Sequence, residues 1–494
     1  MSATAVGGGG GGPLVVAIDQ GTSSTKVVCV DETGAVAVAS TAVGQRHPRP
    51  GWVEQDADEI LDSVLTAVRE AMAGREGRVV ALGLSSQRES ALVWDRATGR
   101  PVGPMLGWQD RRTAEAVATL APHSERVRAI TGLPLDPMFS AVKIAWLLDQ
   151  VDPDRSRSRR GELAVGTVDS WLLFALTGEH RIETGNASRT QLLELATGEW
   201  SPELAELFAI PLAVLPAVCA SDTVSEPVPE LRGLRFHGVL GDSHAALYGH
   251  GVRGPGEVKA SYGTGSSVMG LGSGAAPEGL VGTIAWQHQG RAPQRAFEGN
   301  ILATGATMAW LSRLLGRDIP ELTALARTAP ADHGVVLVPA VAGLGAPYWD
   351  PEARAVLRGF DLGTDAAVLA RAGIESIVHQ VEDVLAAADA AAPIAVVRAD
   401  GAPARDDVLM QLQADISRRD VVRPAATALS ALGAAALAAE TAGFDLAPQD
   451  TSTTFVPGDD PAGTEAARAA WRDAVGLART RPTTSEDGRD QGEQ

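Results

Sequence analysis

The chain has 494 residues, of which 45% are hydrophobic, and carries 42 Lys and Arg against 61 Asp and Glu, a formal net charge of -19. That length exceeds what one hydrophobic core fills and predicts two large domains, while the acidic balance argues against nucleic acid or an anionic membrane as a general partner. Two cysteines, Cys29 and Cys219, form no CxxC pair, which excludes a disulfide framework or thiolate metal centre and fits a reducing, cytoplasmic setting.

In chain order, residues 1–13 hold the tract Gly7 to Gly12 and are expected to be disordered, with no basic, apolar secretory signal. Val15 to Ile18 and Lys26 to Val30 read as a β-hairpin about the turn Asp19-Gln20-Gly21-Thr22-Ser23-Ser24. A helix follows from Asp56. Glu59 stands in capping-box spacing, Ile60, Val64, Val68 and Met72 share one face, and Gly74 ends it. Val79 to Leu84 reads as a strand, so strands alternate with helices and the class is α/β. Phe236 to Gly241 reads as another strand, with Asp242 opening a helix. The first hairpin then recurs. Val258 to Tyr262 is a strand, Gly263-Thr264-Gly265-Ser266-Ser267 a turn, and Val268-Met269 resumes. Two Gly-Thr-Ser hairpins, each heading a half of the chain, suggest an internal duplication. The alanine-rich stretch 425–439 reads as a buried helix rather than a membrane span. The residues from Thr480 onward are polar and acidic, with no apolar period.

The chain lacks the GxxxxGK[ST] phosphate loop, and its Gly249, Gly251, Gly254 match follows a helix rather than a strand, so it is not a dinucleotide fingerprint. The hairpin turns carry more. Backbone N–H groups and hydroxyls in such turns can cradle phosphate oxygens without net positive charge. Asp19 can sit by a metal ion or serve as a plain turn residue. Gln87-Arg88-Glu89, past the end of a strand, can donate to and accept from neighbouring hydroxyls or form a solvated strand end. Trp108 can pack on a carbon chain or belong to the core. Asp242 reads equally as a helix N-cap or as the acceptor of a hydroxyl proton.

Together with Met138 to Trp146, Gly166-Thr167-Val168-Asp169, Asn186 to Thr190 and Gly343 to Pro351, these segments resemble the FGGY family of carbohydrate kinases over residues 14 to 475. The resemblance implies an α/β fold of two duplicated actin/hexokinase-type (ribonuclease H-like) domains around an interdomain cleft. The domains would span 14–245 and 246–478, between a glycine-rich N-terminus, 1–13, and a disordered acidic tail, 479–494. It implies ATP with Mg²⁺, a small polyol or sugar acceptor, and a homo-oligomer, dimer or tetramer. By the same resemblance Asp242 is the catalytic base and, with Asp19, lies by the metal. Thr22, Ser23, Ser24 and Lys26 line one phosphate loop and Gly263 and Thr264 the other. Gly305, Gly401, Ala402 and Asp407 lie around the nucleotide. Arg88, Glu89, Trp108, Met138, Ser243 and Ser267 lie around the acceptor.

Met138, Ser243 and Ser267 stand where family members acting on a three-carbon polyol carry Tyr, Gln and Phe. A roomier, more polar pocket for a longer polyol or ketose is therefore expected. Ala402 replaces a glycine and is expected to crowd the nucleotide loop if that position needs positive φ or tight contact with a phosphate. Asp406-Asp407 replaces two asparagines and loses amide donors. The short segment Leu231 to Arg235 replaces a glycine-rich loop, so no inhibition by fructose bisphosphate is expected. The alternatives are a kinase for the three-carbon polyol itself, a pentulose kinase, and a non-catalytic actin-like ATP-binding protein; the last predicts loss of Asp242, which is present.

Overall fold

A computed structural model describes residues 4–5, 12–272, 274–390, 392–446 and 451–480. The segments expected to be disordered, 1–13 and 479–494, fall mostly outside these; Thr4–Ala5 pairs as a short antiparallel edge with Val38 and Ala37.

The first sheet grows from the hairpin of β1 (Leu14–Gln20) and β2 (Ser24–Asp31), continued by β3 (Gly34–Ala42). Helix α1 (Ala57–Met72) buries Ile60, Val64, Val68 and Met72 against it. Asp56 caps this helix, accepting from the N–H groups of Asp58 and Glu59. The expected capping box is only half formed: Glu59 Oε1 accepts from Gly44 N at 2.7 Å, satisfying a donor past the end of β3 instead of reaching back. Strand β4 (Val79–Ser86) and β5 (Phe236–Gly241) join parallel to β1, giving β3-β2-β1-β4-β5 with only β1–β4 and β4–β5 parallel. Between them in sequence, α3 (Val168–Thr177) packs Val168, Trp171, Leu172 and Leu176 into the core of the first sheet, and α2 (Ser140–Val151) packs in a separate apolar cluster with Val93 and Val165.

Helix α4 (Asp242–Gly249) leads to the second sheet. There β6 (Glu257–Tyr262) and β7 (Ser266–Leu271) form the second hairpin, β8 (Val281–Trp286) and β9 (Gln294–Ile301) extend it antiparallel, and β10 (Val396–Asp400) and β11 (Asp420–Pro424) run parallel to β6. The core order β9-β7-β6-β10-β11 repeats the first sheet's order of three antiparallel strands followed by two parallel ones. The duplication suggested by the two turns is therefore visible in topology. Two large apolar cores, one on each sheet, support it.

One element crosses this symmetry. Helix α5 (Leu429–Ala442), the alanine-rich stretch, lies late in the chain yet packs on the first sheet. Ala431, Ala435, Ala438 and Ala439 pack against Val15, Ala17 and Ala81. Small side chains let it come close: a Cβ on Gly83 would collide with the Ala434 carbonyl, and one on Gly433 with the carbonyl of Ala245 in α4. Helix α6 (Pro461–Ala478) closes the second domain. Among the described residues, no helix is long and apolar enough to cross a membrane.

Candidate active site

The parallel strands bring the sequence candidates of the first domain to one level. Asp19 of β1 stands beside Ser85 of β4, and Ser86 stands beside Gly241 of β5. The C-terminal ends of adjacent parallel strands thus present Asp19, the segment Gln87-Arg88-Glu89 and Asp242 at a common edge, where α/β sheets place ligands.

Asp242 is not a cap. Its Oδ1 accepts from the adjacent Ser243 N at 2.6 Å, and Gly241 is the N-cap residue, with no side-chain bond. The carboxylate is held instead by Arg88 Nε at 3.1 Å and stays 39% exposed, open to the cleft, while the Arg88 side chain is 8% exposed. Burial pushes the Asp242 carboxyl above its ordinary range; Arg88 opposes the rise and Glu89 adds to it. Asp19 behaves similarly. Burial and the facing Asp242 charge push it up to about 6, against a hydrogen bond from Ser85 Oγ at 3.0 Å and the charge of Lys26.

The Asp242 charge acts on Asp19, and two carboxylates presented at one strand edge fit a divalent cation between them. Among the described residues no group of three or more His, Cys, Asp or Glu is arranged for a metal. An ion here would complete its shell with water and phosphate oxygens, as Mg²⁺ does.

Beneath Asp242 lies a buried ionic network with members absent from the sequence reading. Arg88 donates from both terminal nitrogens to Glu298, at 2.9 and 3.1 Å. Glu298 sits on β9 of the second sheet and is fully buried. Arg189 lies 3.2 Å from Glu298 and donates from Nε to Glu89 Oε1 at 2.6 Å. Ser267 Oγ donates to Glu298 at 3.0 Å, so this candidate acceptor residue is tied to the same carboxylate. Burial alone would raise the Glu298 carboxyl; Arg88 and Arg189 outweigh it and hold it far below the carboxylate range. Lys259 of β6 is buried beside them, its pKa lowered by burial against the pull of Asp400 and Glu298. Arg189 belonged to a segment noted for its resemblance alone. Glu298 and Lys259 sit in strands whose sequence signal is only that of a buried charge in an apolar run.

Glu89 is buried with φ 59, the left-handed region that is unusual for a residue with a Cβ. Trp108 is 39% exposed and donates from Nε1 to Thr22 Oγ1 at 3.1 Å, joining the expected acceptor wall to the first turn. Met138 packs with Leu133, Phe139, Val281 and Trp349. In the first turn, Gly21 N bonds Ser24 O, Val43 N bonds Ser23 O, and Lys26 stands across the hairpin from Asp19.

The second turn is braced from behind. Gly305 N donates to Gly263 O at 2.9 Å and Ala306 N to Thr264 O at 3.0 Å. Gly401 follows β10 with φ 94, and a Cβ there would collide with the Tyr262 carbonyl. Ala402 has φ -64, so the expected backbone hindrance from its methyl does not arise; the position that needs glycine is Gly401. Asp406 caps the helix Asp407–Ser417, accepting from Val408 N and Leu409 N, and exposed Asp407 pairs with Arg423 at 2.8 Å. A carboxylate serves that cap as well as an amide would. A separate groove of about 590 Å³, lined by Arg46, Glu54, Asp56 and Arg100, includes neither Asp19 nor Asp242.

The sequence model of the N-terminal domain of the FGGY family of carbohydrate kinases matches residues 14–241, and that of the C-terminal domain matches residues 258–442. The chain is 44% identical over 447 residues to a glycerol kinase of Citrifermentans bemidjiense, covering 87% of this chain and 90% of that one. It is 43% identical over 490 residues to a glycerol kinase of Aromatoleum aromaticum, covering 94% and 98%. Among solved structures, Plasmodium falciparum glycerol kinase with ADP superimposes with a TM-score of 0.90 at 26% identity, over 95% of this chain and 99% of that one. A ligand-bound xylulose kinase from Lactobacillus acidophilus shares the fold, with a TM-score of 0.84 at 20% identity over 94% and 97%.

Proposed function

This chain belongs to the FGGY family of carbohydrate kinases, and from that premise we propose that it transfers the γ-phosphoryl group of ATP to a hydroxyl of a small polyol, with Asp242 as general base. The observation that carries this reading is the Asp242 carboxylate. It is free of capping duty, open to the cleft, held by Arg88 and set across from Asp19.

Phosphoryl transfer asks a protein for alignment, charge neutralisation and a place for the proton. Arg88 orients Asp242, and Arg88, Glu89 and Trp108 hold the acceptor so that its reacting hydroxyl meets the carboxylate. The raised pKa of Asp242 suits a base that must accept a proton as the oxygen attacks. The turns at Thr22-Ser23-Ser24 and Gly263-Thr264 present N–H groups to the phosphates, with Lys26 as a flanking cation. Gly305, Gly401, Ala402 and Asp407 line the nucleotide side. Mg²⁺ held near Asp19 and Asp242 would neutralise charge on the transferring group. Two free cysteines suit a reducing, cytoplasmic setting.

Glycerol is one reading of the acceptor, favoured by relatives at 43% and 44% identity that are glycerol kinases. A longer polyol is the other, favoured by Ser267, whose hydroxyl joins the Glu298 network and adds a polar group to the wall. A panel of three- to seven-carbon acceptors, read as ADP release with ATP, decides between them. Highest kcat/KM on glycerol establishes the first, and highest kcat/KM on a four- to seven-carbon acceptor the second. No ADP release on any polyol or ketose removes the proposal.

A further inference from the structure

We propose that Lys143 is a positioning residue of the acceptor subsite, a single buried amine that ties together the two chain segments forming its wall; this rests on the kinase reading above. Lys143 lies in the first turn of α2 and is fully buried. Its Nζ donates to the Glu89 carbonyl at 2.9 Å and to the Met138 carbonyl at 2.6 Å. One atom thus joins the segment after β4 to the segment before α2.

Both tied residues are acceptor candidates, and one is held in an unusual state. Glu89 has φ 59 and is buried, a conformation that persists only where the surroundings over-determine it. Two bonds do so: Lys143 holds its carbonyl, and Arg189 Nε holds its carboxylate at 2.6 Å. Met138 is fixed from the other side, its N–H donating to Asp136 Oδ1 at 2.8 Å. Without the amine, two carbonyls lose a donor in a site that water enters poorly. The Glu89 backbone then relaxes toward ordinary φ and carries its carboxylate away from the acceptor.

A buried lysine is costly, and an apolar side chain would fill the same volume more favourably unless the amine is used. Burial draws its pKa down to about 7. Either protonation state retains at least two N–H bonds, one for each carbonyl, so the tie does not depend on charge.

The test is steady-state kinetics of Lys143→Met, which keeps the stem and removes the donors, and of Lys143→Gln, which keeps a shorter donor. Each is compared with the parent on the best acceptor of the panel, with thermal melts to establish folding. For Lys143→Met the expected result is an acceptor KM raised at least tenfold, with the KM for ATP within twofold and kcat within about threefold, and partial recovery in Lys143→Gln. Should the methionine variant not fold, the glutamine variant carries the same comparison. Acceptor and ATP KM rising together, or an acceptor KM within twofold of the parent in a folded variant, overturns the role of Lys143 alone. A parent that phosphorylates no acceptor removes the kinase reading and this role with it.

Discussion

Arg88 is the residue on which the site turns. It touches Asp242 with one nitrogen and Glu298 with two others, so a carboxylate of the second sheet fixes an arginine of the first that orients the candidate base. Glu298 lies between Arg88 and Arg189 with no access to water, and removing one charge from such a cluster leaves the others uncompensated. Glu298→Gln is expected to lower stability by about 3 kcal/mol, read as a lower urea midpoint. It is also expected to reduce turnover by about tenfold at equal folded protein, since a loosened Arg88 no longer fixes Asp242, each tenfold corresponding to about 1.4 kcal/mol. Unchanged stability and rate would show that Arg88 is held without it. This cluster was half legible in the sequence. Arg88, Glu89 and Asp242 follow strands, a position that equally suits a solvated strand end or a helix cap, and it was the family resemblance that gave them roles. Glu298 looks like an ordinary charge in a strand, because its meaning depends on a partner 210 residues away.

At the scale of elements, the candidate base Asp242 stands on a helix pair with almost no room. α4 begins at Asp242, and its Ala245 carbonyl lies where a Cβ on Gly433 of α5 would go. Gly433→Ala is expected to destabilise by about 3 kcal/mol through overpacking and to lower activity by shifting α4. Gly476→Ala, at an exposed and unobstructed position of α6, is expected to be neutral or slightly stabilising. Equal effects of the two would contradict the close packing of α4 on α5. The docking of α6 carries a pH dependence. His379 stacks on Trp471 at 5.0 Å, and burial, with the charge of Arg468, draws its pKa down to about 3. The unfolded chain takes up this proton near pH 6.5 and the folded chain does not, so stability falls as pH drops from about 6.5 toward 3, by up to about 1.4 kcal/mol per unit. Thermal midpoints measured from pH 7 to 5 should fall less in His379→Asn than in the parent; parallel curves would assign the acid loss to other groups. Helix α1 was readable from its apolar spacing and α5 from its alanine-rich run. Which sheet α5 joins was not, since an alanine-rich helix carries no signature of its partner and its glycines gain meaning only from the surface they meet.

At the scale of the molecule, two sheets of the same core order face one another across a cleft, and the two Gly-Thr-Ser turns sit at equivalent places in them. The duplication was legible because each turn is local, a few residues between two strands. The cleft was implied by the family resemblance and not by any local signal, because it is built from the ends of strands far apart in the chain. An acidic protein of net charge -19 can bind a triphosphate if backbone donors and a cation do the neutralising locally, and in the proposed function the two turns and an ion near Asp19 and Asp242 take that part. The central claim is that Asp242 takes the acceptor proton. It is tested most directly by turnover of Asp242→Asn, which keeps shape and removes the base. The expected result is a kcat lowered by at least about a thousandfold, with ATP binding by calorimetry retained; turnover within tenfold of the parent would contradict the account.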